Sequence, residues 1–198
     1  VDGYAISDEA KAVELQVILD RYYKTISAGE RLKVENNWNN QLQAYIKDHR
    51  RDLEKTTIVK IPLDTFVVGA TGSVPGYPVN QFALDEYQGN LRIAVTVGER
   101  SSWWWGWQSQ GSANDVYVLN SNLAVIGSVR DLGLSERIYA ARFIGDRGYL
   151  VTFRQIDPFY VLDLSNPQNP KRAGELKIPG YSSFLVPLGP NKILGVGQ

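Results

Sequence analysis

The apolar residues of this 198-residue chain change their period once along its length. Before Thr56, Leu15, Ile18, Leu19, Tyr22 and Ile26 recur at spacings of three and four, which places them on one face of an α-helix. Asp8 is suited to cap that helix, Glu9 to its first turn and Gly29 to its stop. A second stripe with the same period runs through Trp38, Leu42, Tyr45, Ile46, His49 and Leu53. Asn39, Asn40, Gln41, Lys47, Asp48 and Arg50 lie between these positions and suit a solvated face. Residues 1–55 therefore predict an α-helical hairpin, either an insertion or an N-terminal extension of the remaining chain.

From Thr56 onward short β-rich runs succeed one another, bounded by Gly, Pro, Asn and Asp. They predict strands at about 56–63, 66–71, 79–84, 91–97, 115–119 and 123–130. Further strands are expected at about 137–144, 148–154, 158–164, 173–178, 183–188 and 192–196. Helix-period patterns are missing between them, so the sheets should be antiparallel, without βαβ units. Residues 79–130 and 137–178 each hold four strands in one cadence. An apolar strand (Arg92–Val97, Tyr149–Phe153) leads to Tyr117-Val118-Leu119-Asn120 or Tyr160-Val161-Leu162-Asp163. A closing strand with glycine comes next, around Gly127 or Gly174. A four-strand unit of about 40–45 residues is the period of a β-propeller blade, and a β-sandwich gives no reason for the echo. The expected fold is mainly β, with antiparallel four-stranded blades of a partial propeller at 56–198. It comprises about two full blades and parts of others, too few to close a ring.

Composition narrows the chemistry. Lys plus Arg and Asp plus Glu are both 21, and this lack of basic excess argues against nucleic acid as a partner. Hydrophobic residues make up 43% and charged residues 21%, which excludes a wholly disordered chain. No apolar run approaches the ~20 residues that span a bilayer, and Val1 opens a polar stretch rather than a secretory leader. Without cysteine there is no disulfide, thiolate nucleophile or Cys-based zinc site. With His49 alone, a serine triad would have to use it and a His-rich metal site cannot be built. No catalytic residue, metal site or cofactor is expected.

Four tryptophans, Trp103, Trp104, Trp105 and Trp107, crowd a Ser-, Gln- and Gly-rich segment between two strands. They either bury against a neighbouring blade or the helices, or form a platform for sugars, aromatic partners or a membrane interface. Arg92, Arg142 and Arg154 sit in strands, with Asp85, Glu86, Glu136, Asp146 and Asp157 near strand ends. This set makes either a structural polar network or an anion site, since arginine offers a planar fork. Asp85 and Glu86 resemble a glycosidase pair, but neighbours in a strand point to opposite faces. Asp163, Ser165 and Asn166 lack the ligand order of a calcium loop and read as a turn. His49 reads as a packed or half-exposed helix residue. Gly69-Ala70-Thr71-Gly72 lacks the Gly-Lys-Ser/Thr of a phosphate loop.

Several stretches together resemble secreted archaeal and bacterial β-propeller proteins distantly related to WD-repeat proteins. They are Val74-Pro75-Gly76, Asn80–Tyr87, Glu136–Arg147, Tyr149–Arg154, Asp157-Pro158, Asp163–Pro170 and Gly174–Gly180. The likeness covers roughly 56–198 and implies an extracytoplasmic propeller without implying a reaction. The preceding helices resemble a less regular insertion of that family. The leading expectation is a non-catalytic module that recognises a protein or a cell-surface polymer. The alternatives are a polysaccharide hydrolase or lyase with the Trp segment as sugar platform, and a structural surface-layer component. Unclosed blades also predict self-association, or pairing with the rest of a larger parent chain.

Overall fold

The computed structural model describes residues 7–98, 111–153, 157–178, 180, 182–189 and 192–197, the side chains of 157 and 178 excepted. The chain divides into two units, Val1–Tyr45 and Ile46–Gln198.

The first unit holds helix α1 (Asp8–Tyr23) and most of α2 (Ala28–Leu53). Ser7, rather than Asp8, caps α1: its backbone is extended and its Oγ accepts from the Ala10 N–H at 3.3 Å. Gly29 does not stop this helix either. Ser27 and Glu30 form a reciprocal capping box, with the Glu30 N–H donating to Ser27 Oγ at 3.3 Å and the Ser27 N–H to Glu30 Oε2 at 3.0 Å. That box starts α2 at Ala28 and leaves Gly29 in its first turn. No residue of either helix is buried; Ile18 and Trp38 are 52% and 46% exposed. No helix among the described residues is long and apolar enough to cross a membrane.

The second unit is antiparallel throughout its described residues. Strands β1 (Lys55–Lys60) and β2 (Ala70–Pro75) form a hairpin. A four-stranded meander comes next, of β3 (Leu84–Tyr87), β4 (Asn90–Val97), β5 (Ala113–Leu119) and β6 (Val125–Leu132). The second meander is β7 (Arg137–Ile144), β8 (Arg147–Phe153), β9 (Asp157–Asp163) and β10 (Lys171–Ile178). A last hairpin joins β11 (Ser182–Pro187) to β12 (Ile193–Gly197). The register reproduces the echo in the sequence: Gly127 lies opposite Val118, and Gly174 opposite Val161.

Two strands begin later than their apolar residues suggest. Phe66, expected to open the second strand, has φ +53°, and its N–H donates to the Pro62 carbonyl at 2.9 Å. With Phe66 left-handed in a loop bonded back to Pro62, β2 starts at Ala70. At the expected strand 79–84, Asn80 Oδ1 accepts from the Phe82 N–H at 2.9 Å. That cap holds Gln81–Ala83 in a 3₁₀ turn, and β3 starts at Leu84.

The sheets stack in chain order through three apolar layers. Val74, Ile93, Val95, Val97 and Tyr117 fill the first, between the β1–β2 hairpin and the first meander. Ala94, Val116, Phe143, Leu150 and Leu162 fill the second, between the meanders. Ala140, Val151 and Leu185 fill the third, against the last hairpin. Alternate residues of β4 serve opposite layers, which is why all of Arg92–Val97 is buried. Strand β7 lies against both the 3₁₀ turn and β11, while β10 lies against β6. The first strands of the second meander and of the last hairpin thus meet each other, as do the fourth strands of the two meanders.

Candidate functional site

Arg92 joins the two meanders. It stands opposite Asp85 on β3, is 3% exposed, and donates from Nε to Asp85 Oδ2 at 3.1 Å. Its terminal nitrogens donate to the same carboxylate and to the Gly145 carbonyl in the β7–β8 turn. The rings of Tyr87 and Phe143 lie 4.8 and 5.2 Å from its Cζ. A buried guanidinium thereby has a counter-charge, a carbonyl and two ring faces.

Outside this arginine opens a notch of about 190 Å³, lined by Tyr87, Gln88, Asn90, Arg92, Asp146 and Ser165 among others. Three turns bring these groups together. Gln88 (φ +51°) and Gly89 (φ +76°) form a two-residue hairpin with both residues left-handed, the geometry that matches strand twist. The Asp146 carbonyl accepts from the Leu164 N–H at 2.8 Å, tying the β7–β8 turn to the β9–β10 turn. Asp163 Oδ1 accepts from the N–H and hydroxyl of Ser165 at 3.1 and 2.7 Å. Those bonds hold the Asp163 carboxyl below its usual range and make the Asp163–Asn166 stretch an Asx-type turn. The notch therefore presents amides, a hydroxyl, a carboxylate and a 36% exposed tyrosine, groups suited to a polar ligand.

The other sequence candidates are distributed elsewhere. Glu86 is exposed and adjoins Asp85 on β3, so the two carboxylates do not converge. Arg142 does not join the Arg92 network. Its Cζ lies 4.5 Å over the Phe82 ring, where β7, β11 and the 3₁₀ turn meet, and it forms no ion pair among the described residues. Glu136 Oε2 accepts from the Thr152 hydroxyl. His49 is half-buried on α2. Trp103, Trp104, Trp105, Trp107, Arg154 and the Asp157 side chain lie outside the described residues. Val97 and Ala113, which flank the Trp segment, are at the opposite ends of β4 and β5 from the notch.

A second polar cluster had no counterpart in the sequence pattern. Asp115, fully buried on β5, accepts from Arg51 Nε and a terminal nitrogen at 2.8 and 2.9 Å. It also accepts from the Tyr117 hydroxyl at 2.8 Å and the Asp131 N–H at 3.0 Å. Arg50 pairs with Asp131 at 2.7 Å, so it is not on a solvated face as its place between apolar residues suggests; its side chain is 14% exposed. The Asp115 bonds raise the Arg51 pKa further still against the opposing effect of burial. Burial, then the Asp115 carboxylate, pushes the Tyr117 phenol up. Burial alone would raise Asp131, but its bonds to Arg51 and Arg50 hold it below the usual carboxylate range. Beside this cluster, Asn114 accepts from the Thr96 hydroxyl at 2.8 Å and donates to the Leu132 carbonyl at 2.9 Å, while the Ile138 N–H donates to Thr96 Oγ1 at 3.1 Å. The available signal was the Asn114-Asp115 pair between Ala113 and Val116: polar groups within an apolar strand require partners. Both clusters fasten elements together, which leaves the notch as the candidate for binding.

Consecutive antiparallel four-stranded meanders packed on one another through a shared apolar layer are the arrangement of β-propeller blades. The chain belongs to the Beta propeller domain family, whose profile matches residues 6–198 and so takes in both helices. It is 49% identical over 195 residues to an uncharacterized protein of Archaeoglobus fulgidus, covering 98% of this chain and 29% of that one. It is 41% identical over 198 residues to an uncharacterized protein of Methanocaldococcus jannaschii, covering 100% of this chain and 31% of that one. The chain thus spans less than a third of either relative. No solved structure matches it.

Proposed function

We propose that this chain is a non-catalytic recognition module of an extracytoplasmic β-propeller, and that its partner is a protein or a cell-surface polymer. The observation that carries this reading is the notch of about 190 Å³, whose polar groups are held by three turns of two packed blades. Rigid presentation of a few polar groups beside an aromatic ring suits selective binding, because little ordering is left to oppose association. The first carboxylate that a hydrolase would use, Asp85, is already engaged by Arg92, which supports binding without turnover. The extracytoplasmic setting rests on the resemblance to secreted propellers.

An array of cell-envelope polysaccharides and peptides probed with the protein tests this reading. Ligands retained by the parent should be lost with Asn90→Ala at an unchanged melting temperature, and with Tyr87→Ala at a somewhat lower one, because that ring also covers Arg92. Retention unaffected by both substitutions would remove the notch from the account.

A further inference from the structure

Three glycines occupy one position of the repeat, each on the last strand of its sheet. Gly72 on β2 lies opposite Ile58, Gly127 on β6 opposite Val118, and Gly174 on β10 opposite Val161. At the first two, a turn of the next sheet closes onto bare backbone. A methyl at Gly72 would stand 2.3 Å from the Leu123 carbonyl oxygen and 2.7 Å from the Leu123 Cβ. A methyl at Gly127 would stand 2.2 Å from the Pro167 carbonyl oxygen and 2.8 Å from the Pro170 Cδ. Non-bonded atoms do not approach so closely, so each contact requires glycine. Leu123 belongs to the β5–β6 turn, Pro167 and Pro170 to the β9–β10 turn. In both cases the seated turn joins the third and fourth strands of the following blade.

Gly174 has the same place in the ladder and an empty seat. A methyl there would meet nothing within 4 Å. Gly174 follows the β-bulge between Arg172 and Gly174, but no neighbour closes onto it, although glycine inside a strand is unfavourable by about 0.5–1 kcal/mol relative to alanine. Its neighbour Leu176 is 58% exposed, an apolar side chain beside the seat.

We propose that Gly174 receives the corresponding turn of the blade to which β11 and β12 belong, its third and fourth strands carried by the same polypeptide in a protein of the relatives' length. The aligned regions take up 29% and 31% of the two relatives, leaving more than two thirds of each to supply those strands. The occupant should be opened by Asn or Asp. In the turn seated on Gly72, Asn120 Oδ1 accepts from the N–H groups of Asn122 and Ala124 at 3.0 and 3.1 Å. In the turn seated on Gly127, Asn166 Oδ1 accepts from the Gln168 N–H at 3.0 Å. Such side chains fix the turn that must meet the glycine. This assignment is independent of what the notch binds.

The test compares this chain with its Archaeoglobus fulgidus relative. In this chain, Gly127→Val should lower the melting temperature by about 5 °C or more, while Gly174→Val leaves it unchanged. In the full-length relative, valine at the position aligned with Gly174 should lower it as much as valine at the position aligned with Gly127. Where a valine variant fails to fold, alanine gives a graded reading, since its methyl is the group the seat excludes. Valine tolerated at that position in the relative would overturn the proposal. So would loss of self-association in this chain on Gly174→Val, which would make a second copy the occupant.

Discussion

Arg51 and Asp115 form a two-pronged ion pair, with Nε and a terminal nitrogen of the arginine 2.8 and 2.9 Å from the two carboxylate oxygens. Asp115 is fully buried, and that pairing offsets the cost of taking its carboxylate out of water. Arg51→Met should destabilise the second unit by about 3–5 kcal/mol, because it strands a buried carboxylate. Arg51→Met with Asp115→Leu should lose distinctly less. Urea titration of the three proteins measures this, and equal losses would contradict it.

The same cluster sets two pH limits. Asp131 has a lowered pKa in the folded state, so its contribution is present above about pH 4 and is lost as pH falls through the folded value. Asp131→Asn should flatten the acid limb of stability. Tyr117 has a raised pKa, so its contribution is complete below about pH 10 and is lost as the pH climbs beyond that. Tyr117→Phe should flatten the alkaline limb. Melting temperatures from pH 3 to 11 track both, and parallel curves for parent and variants would refute the assignment.

Leu150 is fully buried in the layer between the two meanders, whereas Leu176 is 58% exposed on β10. Leu150→Ala should cost about 2–5 kcal/mol through lost burial and the cavity left behind. Leu176→Ala should stay within about 0.5 kcal/mol. A reversed order in denaturant midpoints would contradict the face-to-face stacking.

Both two-stranded sheets carry exposed apolar groups: Val59 beside the β1–β2 loop, and Phe184, Leu194 and Val196 on β11 and β12. Apolar surface of this kind favours association at about 25 cal/mol per Å² of area covered. Light scattering of the 198-residue chain at micromolar concentration should therefore report oligomers. A clean monomer would count against the idea.

The blade plan was legible because it is periodic. Period-2 runs between Gly, Pro and Asx turns repeat twice, and the Val118–Gly127 and Val161–Gly174 pairs give the echo its structural meaning. What escaped the sequence was decided by single local bonds. The Asn80 cap delayed β3, and the Ser27–Glu30 box divided the helices before Gly29. The Arg92–Asp85 pair was within reach, since both residues belong to one hairpin. The Arg51–Asp115 pair was not, because its partners are 64 residues apart and no period links them. Nor was the notch, whose walls come from three turns that only stacking brings together.

Isothermal titration with the strongest ligand from the array tests the central claim, recognition without turnover, most directly. The account predicts a saturable isotherm that returns to baseline after each injection, weakened at least about tenfold (1.4 kcal/mol) by Tyr87→Ala. A continuing heat signal after each injection, abolished by Asp85→Asn or Glu86→Gln, would show turnover and contradict it.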